Sequence, residues 1–291
     1  MVNCPDNCEI YHKPVNKINN YVIYDCTFCD HRFVKIEKEP EHVTANYGDT
    51  YFFSGESGGY PDYLKESEVL FQRGKKYAEI LKKIGIKEGN LLDVGSAAGF
   101  ILKGFISEGW NGEGIEPNLT MVNYARNELG LNVSQASLEQ FESAIKYDCV
   151  IMIQVMAHFY DLEKVISKLN SLLDDGKYLL IETWDRKSIT AKVLGWKWHE
   201  YSPPTVIHWF SAKSLIKMFE KNNFSLVKKG RLFKKINVDH ARTLLSEKFK
   251  SKLLFKLLKL IPDKMNFIYP SEDLFYIILK KKANESKAYI F

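Results

Sequence analysis

The chain has 291 residues, 45% hydrophobic and 13% aromatic, a composition that excludes a disordered or fibrous protein. No apolar run approaches the roughly 18 residues that cross a bilayer, and Lys256 and Lys259 interrupt the most apolar C-terminal stretch. The net charge of +5 divides unevenly: residues 213–291 carry 19 basic and 7 acidic side chains, and the remainder 22 and 29.

A basic end on an acidic body points to an anionic contact such as phosphate, a lipid headgroup or nucleic acid, or to nothing more than a solvated lysine-rich face. The N-terminus places cysteines and acids where a secretory leader has basic residues and then an apolar block, so a cytoplasmic setting is expected.

Residues 1–40 form the first expected module. Cys4 and Cys8 make one pair, Cys26 and Cys29 another, and 17 residues separate the pairs. Two thiolate pairs at this spacing supply the four ligands of a tetrahedral structural zinc, a closed shell with no open position for chemistry. Residues 41–89 follow as an aromatic, glycine-rich loop with lid character (41–63) and a helix over 64–84, where Leu70, Tyr77, Leu81 and Ile84 share one face.

From Asn90 to the end the pattern changes. The apolar runs LLDVG, NGEGIE, YDCVIMIQV and KYLLIETW alternate with helical segments near 98–108, 119–129 and 161–173. Such alternation predicts an α/β fold, a mostly parallel sheet with helices on both faces. A helix at 212–222, a strand at 224–235, a basic helical insertion at about 238–260 and a final strand at 273–282 complete the expected core. Cys149 falls inside a strand and reads as plain core.

The segment NLLDVGSAAGF reads as buried strand, tight turn and helix start, with Asp93, Gly95 and Gly99 at the spacing of a nucleotide-binding turn. Glu116 ends the next strand, where a carboxylate can accept hydrogen bonds from both ribose hydroxyls of an adenosine. A nicotinamide-binding turn fits less well: Gly95-Ser96-Ala97 breaks its glycine order, and Asp93 would stand close to a diphosphate.

These motifs resemble the class I S-adenosylmethionine-dependent methyltransferases, with Ala97 where that family has its middle glycine and Ala157-His158 where it often has Glu-His. The resemblance implies a doubly wound, mostly parallel seven-stranded sheet of Rossmann-like type. It places Asp93, Gly95 and Gly99 at the methionine end of the cofactor, Glu116 at its ribose and Leu138 at its adenine. Ser96, Pro117, Ser137 and Gln154 complete the expected cofactor-binding set. A cysteine module ahead of such a core, with a tyrosine-rich loop after it, is similar to methyltransferases of deoxysugar and surface-polysaccharide pathways. That similarity implies transfer to an oxygen or carbon of a nucleotide- or lipid-linked saccharide.

A hydroxyl acceptor must lose a proton as the methyl arrives, and imidazole is the fitting base near neutral pH. His208, just ahead of the Phe210-Ser211 helix start, is the first candidate and His158 the second, with His199 behind them. Trp196, Trp198 and Trp209 are candidates for lining the acceptor pocket, or for plain packing. Two other readings stay open: an RNA-modifying methyltransferase, against which the chain lacks basic–aromatic alternation, and a catalytically silent cofactor-binding accessory protein. The C-terminal basic stretch, with Leu244, Leu245, Phe249, Leu253, Leu257 and Leu260 on one side, allows a peripheral membrane contact.

Overall fold

Asn19 and Asn20, at φ 47° and 68°, make the tight turn between β1 (His12–Ile18) and β2 (Tyr21–Cys26). Two successive positive φ angles match the twist of a two-residue hairpin, and asparagine accepts them more readily than most residues. The computed structural model describes residues 12–36, 41–53, 62–232, 234–237, 266–269 and 272–283. Cys4, Cys8 and the basic insertion at 238–260 lie outside the described residues, as does the 54–61 part of the aromatic loop.

After β3 (Arg32–Val34) come two short helices, α1 (Glu41–Asn46) and α2 (Asp49–Phe53), in the segment expected to be a loop. The helix expected over 64–84 begins as a 3-10 turn and continues as α3 (Ser67–Lys83).

The alternation then runs β4 (Asn90–Val94), α4 (Phe100–Ser107), β5 (Asn111–Glu116), α5 (Leu119–Asn127), β6 (Val133–Gln135), β7 (Tyr147–Ile153), α6 (Leu162–Leu172) and β8 (Leu173–Trp184). It closes with α7 (Ile189–Leu194), β9 (His208–Trp209), α8 (Ala212–Lys221), β10 (Phe224–Gly230), β11 (Lys234–Asn237), β12 (Asn266–Tyr269) and β13 (Leu274–Lys281).

The main sheet has seven strands in the order β10-β13-β8-β7-β4-β5-β6. From β6 across to β8 every pairing is parallel, and β13 inserts antiparallel between β8 and β10. Chain order reverses at β4, with β5 and β6 on one side and β7 and β8 on the other. Loops at the carboxyl ends diverge there and leave a crevice, the usual ligand position in such sheets.

Both faces of the sheet are apolar, which is why its strands read as continuous hydrophobic runs. Leu92, Val94, Val150, Met152 and Leu179 pack with Val165 and Leu169 of α6 and with Leu215 and Phe219 of α8. On the other face Leu91, Cys149, Ile151 and Leu180 meet Tyr77 and Leu81 of α3 and Leu102 and Phe105 of α4. Each large aliphatic chain buried in this way contributes about 1.5–3 kcal/mol. Among the described residues no helix is long and apolar enough to cross a membrane.

The N-terminal module does not close at residue 40. Its sheet has the order β1-β2-β3-β9, so residues 208 and 209 supply the fourth strand, paired with Phe33 and Arg32. Arg186, 8% exposed, bolts the same junction: its Nε and Nη2 donate to the Asp30 carbonyl at 3.2 and 2.7 Å, while its backbone N–H donates to Phe210 O. The three tryptophans also serve this packing. Trp198 and Trp209 are buried in the cluster with Ile23, Val34 and Ile207, and the Arg32 guanidinium lies 4.4 Å over the Trp196 ring.

α3 and α4 cross with their backbones in contact. A Cβ on Gly104 would stand 2.4 Å from Phe71 O, and one on Gly74 would stand 2.2 Å from Ile101 O. Backbone atoms on both sides leave nothing flexible to yield. Gly104→Ala should therefore destabilise the protein by about 1–3 kcal/mol. Urea unfolding measures this, and an unchanged midpoint would mean that the helices separate without cost.

Candidate active site

The crevice at β4 holds a cavity bounded by the turn after β4, the ends of β5 and β7, the segment after β6, and helices α1 and α2. The turn starts at Gly95, where φ is 70° and a Cβ would meet Val155 Cγ1 at 2.4 Å, so both conformation and space require glycine. Ala97, in the position of the family's middle glycine, also sits in the left-handed region at φ 47°.

Glu116 joins the turn to the end of β5. Its Oε2 accepts from Ala97 N at 3.0 Å and its Oε1 from Asn118 N at 2.9 Å. Burial pushes its carboxyl up to about 7, against the pull of those two amides. Asp93 lies beneath, 2% exposed, and its Oδ2 has no hydrogen-bond partner among the described residues. Burial, then the neighbouring Glu116, pushes it up to about 8. Two buried carboxyls held this way favour a ligand rich in hydrogen-bond donors or carrying positive charge.

Of the expected cofactor residues, Gly95, Glu116, Pro117, Ser137, Leu138 and Gln154 line the cavity. Asp93, Ser96 and Gly99 stand behind the wall. Ser96 packs against Gly114, and Gly99 has Leu131 within 2.5 Å of where its Cβ would be, so these two shape the turn from the rear. The orphaned carboxylate oxygen of Asp93, the Cβ-free bend at Gly95 and the Glu116 clasp fit an adenosine-type ligand that ends in a cation.

The two candidate bases separate. His158 lines the cavity, with Nδ1 2.8 Å from the Thr205 carbonyl and 3.2 Å from Tyr47 OH. A ring nitrogen that donates to a carbonyl is protonated, so Nε2 is left with the lone pair. Burial lowers the His158 pKa below the usual 6.5, which keeps the ring neutral at physiological pH. His208 does not reach the cavity. It is 3% exposed within β9, its Nε2 lies 2.9 Å from Phe159 O, its ring is 5.1 Å from that of His31, and burial lowers its pKa to about 3. The Phe210-Ser211 helix start is real, with Ser211 and Ser214 forming a capping box, but the histidine before it faces the junction between the two sheets. His199 pairs with Glu200 at 3.2 Å and lies off the cavity wall.

Three wall features escaped the sequence reading. Tyr47 donates to Thr205 O at 2.6 Å, and the Asn118 side chain donates to Tyr47 O and Asp49 Oδ1, both at 3.1 Å. The helical lid is thus pinned at both rims. Glu139, 2% exposed, is a second acid on the wall beside Glu116, and burial raises its pKa. Asn118 had a readable signal, since it also caps α5 by accepting from Met121 N at 2.9 Å. Tyr47 belongs to the aromatic segment read as a lid, and Glu139 had no signal beyond its residue type.

Of the four expected zinc ligands, Cys26 and Cys29 are described. They flank a tight loop in which Cys29 N points at Cys26 Sγ at 3.5 Å. Both side chains are buried. Among the described residues no three His, Cys, Asp or Glu side chains gather as a metal site.

A family model described as a methyltransferase domain matches residues 69–229, more than half of the chain. Curated relatives include the ubiquinone biosynthesis O-methyltransferase of Rickettsia typhi, 26% identical over 151 residues that cover 46% of this chain and 59% of that protein. Its counterpart in Pelagibacter ubique is 24% identical over 57% of this chain and 72% of its own length. The chain thus spans little more than half of the Rickettsia relative. Among solved structures, an S-adenosylmethionine-dependent methyltransferase from Archaeoglobus fulgidus aligns with a TM-score of 0.53 at 19% identity, over 79% of this chain and 98% of that one. A Haloferax volcanii complex of the Trm112 methyltransferase activator with a methyltransferase aligns at 0.57 and 12% identity, over 84% and 97%. At these identities the structural likeness is one of fold.

The left-handed Ala97 offers a test of the turn. An L-residue there costs about 1–2 kcal/mol. Glycine gives back about 0.4–1 kcal/mol through its freer unfolded chain. Ala97→Gly should therefore raise the melting temperature by about 1–4 °C, and scanning calorimetry would show it. A lower melting temperature would mean that the Ala97 methyl packs more tightly than its dihedral suggests.

Proposed function

We propose a reaction for a chain that belongs to the methyltransferase-domain family and is an S-adenosylmethionine-dependent methyltransferase: methyl transfer to a hydroxyl of a small acceptor, with His158 as the base. One observation carries this reading. His158 lines the same cavity as Glu116, with its Nδ1 fixed on a backbone carbonyl.

When bound, S-adenosylmethionine supplies a methyl group already activated on a sulfonium. The protein's own part is to align, exclude water and accept a proton. Glu116 accepts from the ribose hydroxyls, Ser137 and Leu138 bound the adenine end, and Gly95 with Asp93 behind it faces the charged end. Tyr47, Tyr51, Phe52 and Tyr63 close the cavity with a run of edge-on ring contacts 5.2–5.6 Å apart, which excludes water from the reacting groups. His158 takes the hydroxyl proton at Nε2, and Thr205 O and Tyr47 hold the ring in place.

For the acceptor, the aromatic wall suits the face of a sugar or of a phenolic ring. The cysteine module favours a nucleotide- or lipid-linked saccharide, and the lysine-rich end suits the lipid-linked kind. The names of the curated relatives favour a phenol of a quinone precursor. A panel of both classes with product analysis decides between them.

His158→Ala should lower turnover about 100- to 10,000-fold and leave the binding of S-adenosylhomocysteine nearly unchanged. The sign of the pH effect follows from the free base being the active form. With cofactor saturating, so that Glu116 and Asp93 are already engaged, the remaining acid limb of wild-type turnover should fall below pH 6.5, because burial moves the His158 midpoint down. A pH–rate profile that is flat, or a variant of wild-type speed, removes His158 from this role.

We propose further that Cys4, Cys8, Cys26 and Cys29 bind one structural zinc. Elemental analysis of protein purified without added metal should give about one zinc per chain, and Cys26→Ser should lower it. A value near zero with four titratable thiols would refute the site.

A further inference from the structure

A second buried network meets the cavity from the side opposite Glu116. Glu182, 1% exposed in β8, accepts from Arg73 Nη2 at 2.5 Å and Arg73 Nε at 3.2 Å, and also from Tyr77 OH, all on Oε2. Its other oxygen, Oε1, accepts from Gln154 Nε2 at 3.1 Å. The backbone repeats the link, with Gln154 N donating to Glu182 O at 2.8 Å. Gln154 itself is in the left-handed region, at φ 60°, one residue beyond the end of β7.

Burying an ion pair usually gains little stability over an apolar pair of the same shape. What this pair does is fix an orientation. An ionised carboxylate only accepts hydrogen bonds, so the Gln154 amide nitrogen must face Glu182. The carboxamide oxygen is then the end left for the cavity that Gln154 lines. Val155, the next residue, packs against the Gly95 bend, so Gln154 leaves β7 beside the turn that follows Asp93.

Resting on the cofactor reading above, we infer that Arg73 and Glu182 are positioning residues that lock the Gln154 carboxamide with its oxygen toward the ammonium of the cofactor's amino-acid end. Without the lock, the amide can turn its nitrogen inward and present a donor to a cation.

Two ligands separate this role from general support of the fold: S-adenosylhomocysteine, and 5′-methylthioadenosine, which keeps the adenosine and sulfur but lacks the amino-acid end. Calorimetry is run on the wild-type protein, on Gln154→Leu, and on the double variant Arg73→Met with Glu182→Gln. Both variants should bind S-adenosylhomocysteine about 10- to 100-fold more weakly, as expected for loss of a hydrogen bond to a charged group, with 5′-methylthioadenosine within about 2-fold. Equal losses for both ligands, or no loss for either, would overturn the inference. Gln154→Leu leaves the ion pair intact, so the test of the oxygen survives if the double variant fails to fold. A wild-type protein that binds neither ligand would instead defeat the cofactor reading, and this inference with it.

Discussion

The Glu116 carboxylate is the clasp on which the cavity depends. It takes one amide from the turn after β4 and one from the turn after β5, and so joins the two turns beyond the parallel ladder and the Gly95 and Ser96 bonds to Ile115 O. The neighbouring Asn118 passes that constraint on to the lid, by capping α5 with its oxygen and holding Tyr47 and Asp49 with its nitrogen. A carboxylate spent on two backbone amides is costly to bury, as its raised pKa records. Its cost is offset when donors from a ligand join the amides.

On the far wall, polar groups are used in the same way. The Arg73–Glu182 pair links the helix ahead of the sheet to β8, and through Gln154 to the edge of the crevice. α3 is therefore more than a cover over one face of the core. Its glycine contact with α4 sets how close it sits, and its arginine holds the carboxylate that Gln154 of the wall bonds.

Much of this was legible in the sequence because it is local. The run from Asn90 to Phe100 carries strand, turn and helix start within eleven residues, and Glu116 follows one strand later. The final strand and the α8 start were readable for the same reason. What was not legible depends on distant partners. His208 lies in a two-residue strand whose neighbour is Phe33, and nothing near it in the chain announces that pairing. Its neighbours suggested the acceptor rim, whereas burial made it part of a junction. α1 and α2 have six and five residues, too few to form helices alone, and they exist because Tyr47 and Phe52 dock on the cavity. The place of His158 was half legible: the residue type was visible, but the carbonyl that holds its ring comes from Thr205.

The pairing of Phe33 with His208 has a consequence for how the chain is assembled. The N-terminal sheet is synthesised first, yet its fourth strand emerges only after some 170 further residues. Contacts this far apart in sequence form late, because the loop between them must be ordered before they gain anything. The cysteine module is thus finished by the enzyme core and is not an independent piece ahead of it. During synthesis the β1–β3 ribbon keeps one edge open until β9 emerges, with α8, β10 and β13 of the core still to follow.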